Sequence, residues 1–134
     1  FHLLIEEDNL NIAKLFNVGT SEYWETHFNF GKTSKKSIKR ISNSFLDLII
    51  INTIIPLKFC YQRYKGAIDH EKLFQDLRHV KKEDNSIILN FKKLNTSIND
   101  AKDSQSYIQL YNEYCVKDKC LDCVIGGSLM NLKV

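Results

Sequence analysis

The chain has 134 residues, 43% hydrophobic and 26% charged, with a net charge of +3. Such a length suits one compact domain, and such a composition excludes a disordered chain. Five Gly and one Pro are too few for the turns of an all-β fold, and the charge is weaker than a dedicated nucleic-acid-binding domain carries.

Leu3, Leu4 and Ile5 end a first helix, which the polar run Glu6-Glu7-Asp8-Asn9 interrupts. Asn9 is placed to cap a second, carrying Leu10, Ala13 and Phe16 at helical spacing, with Gly19 as its stop. Ser21 then caps a third segment, E-Y-W-E-T-H-F-N-F. Its Tyr23, Trp24, His27 and Phe28 share one helical side and are expected in the core, because aromatic rings carry large buried area. His27 reads as a packed or rim histidine rather than a ligand.

The sequence G-K-T-S at residues 31–34 resembles the end of a phosphate-binding loop. The full motif needs a glycine where Thr26 stands, and no strand is expected ahead of it, so the motif is rejected. Lys32, Lys35, Lys36, Lys39 and Arg40 follow within nine residues with no acid among them. They are the candidate nucleic-acid-binding residues, although solvation is the commoner use of such a run.

From Ser42 the chain turns apolar, and the length of the stretch favours a central helix over a strand. Pro56 is expected to kink or end it near Thr53. A second segment then carries Phe59, Cys60, Tyr61 and Tyr64 to Gly66. Asn52 is expected to be buried and bonded to the broken helix backbone. The apolar run at residues 45–57 contains Asp47, Asn52, Thr53 and Pro56, and is too short and too polar for a membrane span.

Asp69 caps the next helix, with Leu73, Phe74, Leu77 and Val80 facing inward. The connection K-K-E-D-N leads to another, carrying Ile87, Ile88, Phe91 and Leu94 and closed by Asn95. With no repeat or linker, residues 1–134 read as a single helical domain.

Ser97 and Asp100 have the spacing of an N-cap and its third helical residue. Ala101, Ser104, Ile108, Tyr111 and Cys115 then recur at three- and four-residue steps, an amphipathic stripe ending on a cysteine. Ser104 and Gln105 interrupt its apolar character. Asp100 and Asp103 are expected at a helix start, where acids complement the dipole.

Cys115, Cys120 and Cys123 follow the pattern C-x4-C-x2-C. Two thiolates two residues apart can chelate one tetrahedral ion, and a third at a helix end completes a three-thiolate face. Zinc or an iron–sulfur cluster is the implied cofactor, with Cys60, His70, His79 or an external group as fourth ligand. Reduced cysteines packed as small apolar groups, and a redox role, are the competing readings. Cysteine catalysis needs a positioned base, and no histidine lies close in sequence. Low cysteine density and the absence of a secretory feature point to a cytoplasmic, reduced protein. The start at Phe1 rather than methionine fits a piece of a longer chain.

The ending D-S-Q-S-Y-I-Q-L-Y-N-E-Y-C-V-K-D-K-C-L-D-C-V-I-G resembles a bacterial family catalogued as domain of unknown function 2851. So do Y-W-E-T-H-F-N-F-G-K at residues 23–32 and I-N-T-I-I-P at residues 51–56, with a weaker echo in E-D-N at residues 83–85. The cysteine-containing ending is the most specific part of the likeness. The resemblance implies a longer protein with a strand-containing, restriction-endonuclease-like region ahead of a C-terminal helical part. It retains Cys115, Cys120 and Cys123 but not Cys60, which counts against Cys60 as a ligand, and it supplies no activity.

The expectation is therefore an all-α fold of about six or seven helices with a Cys-containing C-terminal turn. The functional expectation is a non-catalytic accessory domain, partnered by the N-terminal region of its own full-length chain and contributing to nucleic-acid binding, without a membrane. The alternative is a structural or assembly module held by a Cys-cluster metal site.

Overall fold

A computed structural model describes residues 2–130, excepting the side chain of Leu10. The chain is mainly α-helical, with one small two-stranded sheet, and divides into two compact units, one up to Asp76 and one from Leu77.

In the first unit, α1 (His2–Glu6) and α2 (Asn9–Leu15) are separated by Asp8. Asp8, not Asn9, is the N-cap, accepting a 2.8 Å hydrogen bond from Asn11 N–H. The helix ends at Leu15, short of Gly19, and Ile12 is its fully buried residue. Ser21 is the N-cap of α3 (Glu22–Glu25), a single turn. The expected aromatic helix stops there. Residues 27–33 form an antiparallel hairpin, β1 (His27–Asn29) with β2 (Lys32–Thr33), and Gly31 turns it at φ 72°. Glycine takes that backbone conformation at no steric cost. A short strand does precede Gly31, but another strand follows, so the strand–loop–helix of a phosphate loop is not formed.

Ser42 caps α4 (Asn43–Ile49), accepting from Phe45 N–H at 3.2 Å. The helix does not break at Thr53. It widens into a π-turn at Ile50–Ile54, where Ile55 N–H reaches back to the Ile50 carbonyl, and continues as α5 (Ile55–Lys65). The wider turn accommodates Pro56, which has no N–H to donate and whose ring crowds the carbonyl one turn back. Gly66, at φ 74°, closes the helix.

The continuous helix Asn43–Lys65 has 23 residues and contains an 18-residue window of mean hydropathy 1.5, enough by length and composition to cross a membrane. Counting the apolar run only to residue 57 missed this, because the helix runs past the proline. Five of its side chains pack inside the unit: Ile50, Ile51, Ile54, Ile55 and Lys58. Asn52 is exposed rather than buried, and its amide donates to the Leu48 carbonyl at 3.0 Å.

The division falls within α6 (His70–Arg78), whose first turn Asp69 caps by accepting from Lys72 N–H. Leu73 is buried as expected, but Phe74 is 42% exposed and Asp76 takes an inward position.

In the second unit, α7 (Ser86–Lys93) is capped by Asn85 and packs on α8 (Ala101–Leu110), with Phe91 and Tyr107 at 4.7 Å between ring centroids. Asn95, at φ 58°, turns the chain after α7. Asp100, not Ser97, caps α8: it accepts from Asp103 N–H at 3.0 Å, while Asp103 accepts from Asn99 N–H at 3.0 Å. The expected capping pair is thus displaced by three residues. Ser104, fully buried, donates to the Ala101 carbonyl and accepts from Glu83 N–H, and Gln105 bonds the Glu83 carboxylate. These two interruptions of the apolar face fasten the 81–83 segment to α8. The helix ends in a second π-turn (Tyr111–Cys115), and α9 (Val124–Leu129) closes the described chain.

Candidate functional site

The hairpin and basic run sit in the first unit. Phe28, expected in the core, is 69% exposed, and Phe30 is 83% exposed. The strand explains this. A helix would have placed Tyr23, Trp24, His27 and Phe28 on one side, whereas β1 re-aims everything after Thr26. Tyr23 holds the turn, its hydroxyl accepting from Gly31 N–H at 3.0 Å, and stacks on the His27 ring at 4.0 Å. His27 Nδ1 also lies 2.8 Å from the Tyr23 carbonyl, so it is a rim histidine. Phe30 presents its ring at 66° to Trp24, with centroids 5.0 Å apart.

The five basic residues divide by environment. Lys39 donates to the His27 carbonyl, and its Nζ lies 3.5 Å from the centre of the Phe28 ring. Lys36 pairs with Glu25 at 3.2 Å. Lys32, Lys35 and Arg40 are exposed to solvent. Lys39 and Arg40 also line an open groove of about 470 Å³ with Thr20 and Ser42.

The cysteines lie in the second unit. Cys115 ends the second π-turn, Cys120 follows the turn after it, and Cys123 precedes α9. All three line one apolar cavity of about 280 Å³, walled chiefly by Phe91, Tyr107, Leu110, Tyr114, Ile125 and Leu129. Cys123 is 8% exposed, while Cys115 and Cys120 are exposed and all are free thiols. The expected buried stripe is therefore buried only at Ala101 and Ser104. Tyr111 and Cys115 are exposed, and the π-turn shifts the helical phase before Cys115. Among the described residues, no group of three or more His, Cys, Asp or Glu side chains is placed to hold a metal ion. Of the suggested fourth ligands, Cys60 and His70 belong to the first unit and His79 to the second.

Gly126 fixes the cysteine turn. A Cβ there would lie 2.2 Å from the Cys120 carbonyl oxygen, so only glycine permits α9 to approach that backbone.

Lys58 and Asp76 were not singled out from sequence. Both are 4% exposed, and they pair at 2.9 Å. The Lys58 ammonium also donates to the Glu7 carbonyl at 2.8 Å, and Asn9 donates to the Asp76 carbonyl at 2.7 Å. The only available signal was their eighteen-residue separation on two helices, which identifies no pair.

These features define a mainly helical protein with a basic, aromatic hairpin in one unit and a thiol-lined apolar cavity in the other. The chain belongs to the family described as protein of unknown function (DUF2851), whose model matches residues 1–86. The hairpin, the basic run, the long helix and the Lys58–Asp76 pair lie within the match. The cysteine-bearing ending, read as the most specific part of the resemblance, lies beyond it. No curated protein and no solved structure matches the chain.

Proposed function

We propose that this chain is a non-catalytic helical accessory domain that contacts nucleic acid through the basic run, supporting a domain N-terminal to it in a longer cytoplasmic protein. The observation that supports this reading is the exposure of Lys32, Lys35 and Arg40 on and just after the hairpin. Lys36 and Lys39 already have intramolecular partners, so the phosphate-contacting set narrows to three. Each contact releases about 0.7 of a counterion from a single strand and about 0.9 from a duplex, so the reading expects a salt slope near −2 to −3. The test is fluorescence-anisotropy titration of a labelled oligonucleotide at several salt concentrations. Replacement of all three by Ala should abolish most of the slope. Absent or salt-independent binding overturns the reading.

A second reading rests on the second unit. Three cysteines around one apolar cavity suit a structural knot that stabilises the chain ending or an assembly contact. A zinc ion or iron–sulfur cluster there requires the thiols to draw together further than they do in this conformation. Elemental analysis with a free-thiol count tests it. Stoichiometric zinc or iron, lost in Cys120→Ser, supports the knot. Metal-free protein whose Cys120→Ser variant keeps full stability and assembly removes it.

A further inference from the structure

We infer that the hairpin is a stacking platform and that the polyanion it takes is a single strand, whose unpaired bases lie on Phe28 and Phe30. This inference rests on the phosphate-contact reading and adds to it the class of nucleic acid.

Three observations carry it. First, Phe28 and Phe30 are among the most exposed large apolar side chains described, on a short hairpin where burial would normally claim them. Second, the platform is held in place before any ligand arrives. Tyr23 fixes the Gly31 turn, Trp24 packs against Phe30 with the two rings 66° apart, and Lys39 ties His27 to the segment after β2. A pre-set aromatic surface loses little entropy on binding. Third, one cation lies on the platform and two more adjoin it in sequence. Lys32 and Lys35 follow Phe30 along the chain, and Lys39 lies over the Phe28 ring. Single-strand binders combine these two elements, cations that track phosphates and aromatic faces on which bases stack whatever their sequence.

The same surface has the basic and aromatic character of a membrane-interface anchor, and one geometric fact separates the two. The Lys39 ammonium sits 3.5 Å from the centre of the Phe28 ring. Inserting that ring into hydrocarbon drags the ammonium with it or breaks the cation–π contact, and both are costly. Beside a nucleic acid the ammonium keeps its bond to the His27 carbonyl without leaving the aqueous interface, and the ring keeps its other face for a base.

The test uses the full chain and three probes: a labelled oligothymidylate of about 12 nucleotides, the same strand paired as a duplex, and vesicles rich in phosphatidylserine. Tighter binding to the single strand than to the duplex is expected. Phe28→Ala and Phe30→Ala should each weaken single-strand binding about 5-fold or more, with the salt slope unchanged. Phe30→Leu, which keeps apolar bulk but removes the π-face, should lose affinity, and Phe30→Trp should retain it. Equal binding of both oligonucleotides, indifferent to the Phe variants, overturns the stacking platform and leaves the phosphate reading standing. No binding to either oligonucleotide overturns both. Binding to vesicles alone, retained by Phe30→Leu, overturns both in favour of a lipid surface.

Discussion

Lys58 Nζ lies 2.9 Å from Asp76 Oδ2 with both side chains about 95% out of water, joining the long helix to α6. The same ammonium closes onto the Glu7 carbonyl, and Lys72 reaches the other Asp76 oxygen at 3.3 Å. A buried charge that loses its partner costs about 3–5 kcal/mol, whereas an isosteric apolar pair is often neutral or better. Asp76→Ala should therefore destabilise the protein by about that amount in urea unfolding, and the double variant Lys58→Met/Asp76→Leu should recover most of it. Lys72 is more than half exposed, so Lys72→Ala should cost no more than about 1 kcal/mol.

The cap of α8 makes a paired prediction. Asp100 accepts from Asp103 N–H at 3.0 Å, so Asp100→Ala should cost about 0.5–2 kcal/mol. Ser97 bonds only its neighbour Asn99, so Ser97→Ala should stay within about 0.5 kcal/mol. Thermal unfolding of the two variants separates the displaced cap from the one its spacing suggested.

Gly126 packs against the Cys120 carbonyl at a distance no Cβ tolerates. Gly126→Ala should force α9 away from the cysteine turn, with an overpacking cost of about 1–3 kcal/mol. Thiol labelling reads the local consequence. In the native protein Cys60, Cys115 and Cys120 should react quickly with a disulfide reagent and Cys123 slowly. Gly126→Ala should bring Cys123 into the fast class.

The Glu113 carboxyl is held below its ordinary value of 4.5, chiefly by its hydrogen bond from Lys117 at 2.5 Å and by that ammonium's charge, with a smaller pull from Lys119. A depressed folded pKa contributes stability above the unfolded value and loses it as the pH falls through the folded one. Both groups are exposed, so the signature to measure is the titration itself. Carboxyl NMR should give Glu113 a midpoint below 4.5, and Lys117→Met should return it toward that value.

Local signals were legible. Asp69 caps its helix as read, and Ser42 and Asn85, not singled out as caps, do the same, because a side-chain oxygen three residues back meets an orphan N–H whatever the rest of the fold does. Asn95 and Gly66 stop helices because they tolerate the left-handed backbone. Where two caps lay within reach, the sequence was ambiguous. Asp8 took the place of Asn9, and Asp100 that of Ser97, since each choice also settled what the neighbouring side chain bonded.

The cysteine cluster was read from spacing and from the family resemblance, and neither constrains thiol direction. The structure brings Cys115, Cys120 and Cys123 to the wall of one cavity without converging the three thiols on a common point. The hairpin escaped notice because E-Y-W-E-T-H-F-N-F fits both periods. Tyr23 and His27 do face each other as a helix would place them, and only the Gly31 turn and its Tyr23 hydrogen bond decide for strands beyond Thr26.

What the sequence determined by itself was the helical class and several helix starts and stops, which follow from residues within a turn or two of each other, together with membership of a family matched over residues 1–86. Tertiary structure alone decided which polar groups would be buried and which rings left in water. Lys58 meets Glu7 across 51 residues, and Asn9 meets Asp76 across 67. The stability of a buried charge depends on partners that distant, and no local window contains them.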